Sequence, residues 1–113
     1  MSPLVPADIS AGLHVVSVPL PTADGAPKEV VVLVDLAAVK VVAITLRAGA
    51  ALAEHAASLP VTIQAAHGRA IVSVRGTAAD LAPGAFVVLD ANTPHAVAPV
   101  GEEPVTVLVH HHK

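Results

Sequence analysis

An all-β sandwich or barrel is the fold class that the 113 residues predict. Short Val-rich runs recur about every ten residues, ten prolines and seven glycines punctuate them, and no long stretch keeps a helical period. Ala and Val account for 44 of the 113 residues, and Phe86 is the single aromatic residue. At this length about two thirds of the unfolded surface can be buried, so one modest core is expected, filled by small side chains.

The elements follow in order. Residues 1–12, with Pro3, Pro6 and Asp8, read as an arm, and residues 13–113 as one domain. Strands are expected over 13–18, 29–34, 39–46, 61–66, 70–74, 86–89, 95–98 and 105–109. In 69–75, Ala70, Val72 and Val74 fall on one face while two arginines and a serine flank Ile71 on the other, the two-residue period of a half-buried strand. Arg75-Gly76-Thr77-Ala78 and Ala82-Pro83-Gly84-Ala85 read as turns. On propensity alone residues 47–58 form a short helix, but Gly49 and Pro60 limit it to about two turns and its neighbours are strands.

Composition excludes several functions. Six basic against nine acidic residues give a formal charge of -3, and the chain lacks Trp and Tyr, so neither phosphate neutralisation nor base stacking is provided for. Nucleic acid is not an expected partner. Zero Cys removes disulfides, thiolate metal sites and cysteine nucleophiles. The start lacks a basic n-region and an apolar h-region, and apolar runs such as 30–34 fall far below the roughly 18 residues of a bilayer span. A cytoplasmic protein with no membrane partner is expected. A mean hydropathy of +0.72 with 13% charged residues predicts a homodimer, with its contact in the most apolar stretch, 29–46.

Seven histidines are the reactive groups in unusual number: His14, His55, His67, His95 and the terminal His110, His111 and His112. Imidazole titrates near neutrality and ligates zinc, iron, copper and nickel, so two convergent rings are the seed of a metal or acid/base site. A single histidine taken alone is more often a half-buried residue with satisfied nitrogens. His55 and His95 stand apart by their surroundings: His55 lies between Gly49 and Gly68, and His95 closes the run from Gly84 through Asp90, Asn92 and Pro94.

These two stretches resemble the cupin superfamily. Its first motif runs Gly, five residues, His, one residue, His, three or four residues, Glu, six residues, Gly. This chain has Gly49 and His55 in place, Ala57 for the second His, Val61 for the Glu, and Gly68. The second motif runs Gly, five residues, Pro, one residue, Gly, two residues, His, three residues, Asn. Here it reads Gly84, Asp90, Asn92, His95 and Pro99. The likeness spans residues 42–99 and implies a single-domain cupin jelly-roll barrel with His55 and His95 pointing inward from adjacent strands.

That resemblance implies a low-molecular-weight ligand in the barrel and a divalent metal, Fe, Zn or Ni by ligand type, held by His55 and His95. Oxygenation or isomerisation would be the family-like chemistry. The alternative is a metal-free ligand-sensing or structural domain, since Ala57 and Val61 cannot ligate. For a third ligand, Glu54 and Gln64 fall out of phase, and His67 lies roughly 20 Å beyond the Glu position along an extended strand. In the terminal run only His110 and His112 can share a face, with His111 on the other; a frayed, solvated end is expected there. The expected pocket walls are Val61, Ile63, Ala65, Ala70, Val72, Phe86, Val88 and Val97.

Overall fold

The computed structural model describes residues 12–113, so the proposed arm lies outside the described residues apart from Gly12. Nine strands follow one another: β1 (Lys28–Asp35), β2 (Val39–Leu46), β3 (Leu52–His55), β4 (Val61–His67), β5 (Ala70–Val74), β6 (Thr77–Leu81), β7 (Phe86–Leu89), β8 (His95–Pro99) and β9 (Val105–His112). They form two antiparallel sheets, ordered β1-β2-β9-β4-β7 and β3-β8-β5-β6. The architecture is a jelly roll. It is the all-β jelly roll expected from the sequence, with two sheets that do not close into one continuous barrel.

Alternation decides which side chains meet between the sheets. Val61, Ile63 and Ala65 of β4, Ala70 and Val72 of β5, and Val105, Val107 and Val109 of β9 all turn inward and are buried. Leu46, Leu81, Leu89 and Val97 complete this core. Each fully buried Val or Leu contributes about 1.5–3 kcal/mol relative to leaving it exposed.

Three segments depart from the sequence expectation. Residues 14–20 form no strand, and only Leu13 makes a bridge; Val16 and Val18 instead border a hollow with Leu33, Val34, Val41 and Leu108. Within 47–58, where Gly49, Pro60 and the neighbouring strands argued against a helix but no strand was expected, a turn closed by the Ala50 amide on the Arg47 carbonyl (2.8 Å) leads into β3, which pairs with β8. Tertiary pairing overrides the helix propensity there. The turn expected at 75–78 is shorter: Arg75 (φ 49°) and Gly76 (φ 81°) alone make a two-residue hairpin loop with both angles positive, and Thr77 already opens β6 opposite Val74.

A polar clasp fixes the chain leading into β1. Arg47, buried at the end of β2, donates through Nε to the Thr22 carbonyl (3.0 Å) and through Nη1 to the Ala26 carbonyl (2.7 Å) and Glu29 Oε1 (2.6 Å). Its Nη2 also reaches Thr22 Oγ1 (3.3 Å). The approach is so close that a Cβ on Gly25 would collide with Glu29 Oε1 and the Arg47 guanidinium. Replacing Arg47 with Ala is expected to lower the unfolding free energy by about 2–3 kcal/mol, read as a lower urea midpoint. An unchanged midpoint would show that this segment is held by other contacts.

Candidate ligand cavity and histidine pair

Register brings the two motif histidines together. β3 and β8 pair so that His55 stands directly opposite His95, and the ring centroids lie 4.4 Å apart at an interplanar angle of 55°. Each ring is oriented by its own strand. His55 Nδ1–H donates to the Ala53 carbonyl and His95 Nδ1–H to the Thr93 carbonyl, both at 2.9 Å. A carbonyl can only accept, so Nδ1 carries the hydrogen in each neutral ring and Nε2 keeps its lone pair. His95 is 3% exposed, whereas His55 is exposed at the cavity mouth.

The loops before these strands are tied to one another. The Asn92 amide donates to the Ala57 carbonyl at 2.7 Å, joining the β7–β8 loop to the β3–β4 loop. Asn92 stands where the second motif has Gly, and its φ of 62° lies in the left-handed region that Asn tolerates better than most residues. The departure from Gly thus leaves the turn intact.

Both rings open onto a cavity of about 540 Å³, within the range of small-molecule sites. Ala57 and Val61 line it, at the positions where the motif would carry a second His and a Glu. Of the predicted walls, Val61, Ile63 and Val97 line this cavity, while Ala65, Ala70 and Val72 are buried in the core beyond it. Phe86 and Val88 are 63% and 62% exposed and do not line it. The pairing of Ile63 with Val87 and of Val61 with Leu89 turns those partners inward and Phe86 and Val88 outward. Glu54, expected to face away, borders the cavity too, because β3 is a short edge strand at its mouth.

The terminal histidines are not frayed. β9 is paired through His112 and lies between β2 and β4, with His111 opposite both Lys40 and Val61. His110 and His112 take the outer face, where their Nε2 atoms meet Gln64 Oε1 (3.2 Å) and Thr62 Oγ1 (2.8 Å). His111 lines the cavity, and its Nδ1 is buried without a hydrogen-bond partner. Alternation signalled that His111 would oppose its neighbours; which face was the inner one depended on pairing with β2 and β4, which a single strand's sequence does not encode. His67 and His14 are exposed and border neither this cavity nor the pair.

Among the described residues no group of three or more His, Cys, Asp or Glu side chains is placed to hold a metal ion. The cavity is otherwise apolar, with Lys28, Lys40 and Glu54 as its charged residues. Burial, followed by the charge of Lys40, His55 and His112, holds His111 below the usual imidazole range; burial and then His112 do the same for His110.

With the folded values depressed, the unfolded chain takes up protons first as the pH falls. The neutral rings therefore contribute stability that is present above the ordinary value of about 6.5 and is lost as pH falls through the folded values. Melting temperatures are expected to decline below about pH 6.5, and His111→Gln to flatten that decline. A wild-type profile that stays level down to about pH 5 would contradict this assignment.

Solved structures share the architecture. An RmlC-like cupin family protein with a double-stranded β-helix fold from Methanocaldococcus jannaschii superposes with a TM-score of 0.73 at 16% identity, over 88% of this chain and 89% of that one. The fold is that of the cupins. A cupin domain of an XRE family transcriptional regulator from Enterobacter cloacae matches at TM-score 0.69 and 21% identity, over 78% of this chain and 98% of that domain. A DMSP lyase from Ruegeria pomeroyi matches at TM-score 0.61 and 21% identity, over 67% of this cupin-fold chain and 39% of the lyase. Neither a family model nor a curated protein sequence matches. Among the described residues no helix is long and apolar enough to cross a membrane.

Proposed function

We propose that this cupin-fold chain binds a low-molecular-weight ligand in the cavity between its sheets, with the His55–His95 pair as the polar centre. The observation that carries the reading is the convergence of two oriented imidazoles, each with a free Nε2 lone pair, on an apolar hollow of about 540 Å³. The fold by itself selects no activity, since its neighbours include a lyase and a regulator's domain.

The donor set fits a divalent ion in part. His55 and His95 supply two nitrogen ligands suited to Fe, Zn or Ni, while Ala57 and Val61 supply none. We propose an ion held weakly by the two imidazoles and completed by ligand or water. Bound there, it would supply Lewis acidity for oxygenation or isomerisation. The second reading, a metal-free sensing or structural domain, is favoured by the missing third ligand and supported by the resemblance to the regulator's cupin domain.

Metal analysis of protein purified without a tag or metal column separates the two. The first reading expects bound metal that disappears in the His55→Ala, His95→Ala double variant. Metal content unaffected by that variant overturns it, and ligand-induced thermal stabilisation that survives chelation favours the second. Ala57→His combined with Val61→Glu should restore the motif's donors, so added Zn or Ni is expected to raise the melting temperature of that variant more than that of the parent.

A homodimer through the apolar stretch 29–46 is also proposed, restricted to β1. β2 is paired on both sides, whereas β1 is an edge strand with Val30, Val31 and Val32 at 57%, 44% and 52% exposure. A monomer by light scattering at micromolar concentration would overturn it.

A further inference from the structure

We infer that the cavity's ligand is a small aliphatic carboxylate, its anionic end taken by Lys40 and His111 and its hydrocarbon body by the valine walls. This rests on the reading that the cavity binds a small molecule, and adds the chemical class.

Charge comes first. Of the groups lining the cavity, Lys28 and Lys40 are permanent cations and Glu54 is the one carboxylate. The other nearby acid, Asp35, faces Lys40 in the β1–β2 register and feels its charge, but its ion pair is with the Lys113 ammonium. Lys40 makes no salt bridge among the described residues. An apolar hollow with a net excess of ammonium groups disfavours a cationic guest and strengthens attraction to an anion, because field lines are less screened there than in bulk water.

Placement adds direction. Lys40 and His111 are cross-strand partners, so their side chains leave the same face of the five-stranded sheet side by side. His111 Nδ1 is closed off from water and unpartnered, so the ring's other nitrogen, Nε2, is the one left to donate to a guest in the cavity. A carboxylate presents two acceptor oxygens, one for the ammonium and one for a ring N–H. The intervening walls are Val30, Val32, Val42, Ile44 and Val109, with no aromatic face for stacking and few groups to bond a sugar's hydroxyls. An aliphatic chain matches such a surface.

The test compares isovalerate with isovaleramide and isoamyl alcohol, matched in hydrocarbon body, by thermal shift and titration calorimetry with chelator present throughout. The acid is expected to bind about tenfold or more tightly than the amide, and Lys40→Met and His111→Gln each to abolish that preference while leaving amide binding unchanged. Arg69→Ala, on the surface away from the cavity, should leave the preference intact. Equal binding of acid and amide overturns the carboxylate assignment and leaves ligand binding in the cavity standing; failure of all three compounds at millimolar concentration overturns both. The wild-type comparison decides the question even where a variant fails to fold.

Discussion

The pairing of β3 with β8 is the constraint on which the site depends, because it sets His55 opposite His95. β3 is four residues long and paired on one side only, so its position is not secured by its own ladder. The Asn92-to-Ala57 hydrogen bond supplies an additional fixing point, joining the two connections that carry the histidines. Both rings are then held in one tautomer by carbonyls two residues upstream. Positioning of this kind comes from backbone geometry and survives the loss of side-chain ligands at Ala57 and Val61.

The energetics of the two cavity poles differ. At the His55–His95 pole, the buried His95 has its Nδ1 satisfied and exposes its lone pair to a neighbouring ring and the cavity. At the His111 pole, burial leaves a ring nitrogen without a partner, and the nearby Lys40 adds positive charge. Unpartnered buried polar atoms cost roughly 1–3 kcal/mol, a substantial fraction of a small domain's stability. The fold tolerates that cost at one end of β9 while Val105 and Val107 at the other end are sealed in the core.

Much of the fold was legible in sequence because β4 and β5 alternate and Pro and Gly mark the breaks. The motif spacing singled out His55 and His95, and the β3–β8 register brings their rings together. The failures share a cause, a strand's face being set by the partner it pairs with. Phe86 and Val88 look like wall residues by hydrophobicity, yet the parity of β7 is set by β4 and turns Val87 and Leu89 inward instead. The strand β3 within 47–58 was missed, because its alanine-rich surroundings carry no strand pattern of their own and the ladder with β8 is what claims Leu52 and His55. His111 was hidden by the same ignorance of register.

The departures from the family motif reshape the cavity rather than abolish it. A His and a Glu at positions 57 and 61 would fill the space between the sheets with polar atoms that need mutual satisfaction; Ala57 and Val61 leave it open and apolar. Polar chemistry then survives at the His55–His95 pair and at the end of β9 beside β2. With Phe86 turned outward, the walls between them are short branched side chains, which leave volume that an indole or phenol would have occupied. Small side chains at 57 and 61 and walls without aromatic bulk act in the same direction, leaving an apolar hollow whose polar groups are the imidazoles of His55, His95 and His111 and the side chains of Lys28, Lys40 and Glu54.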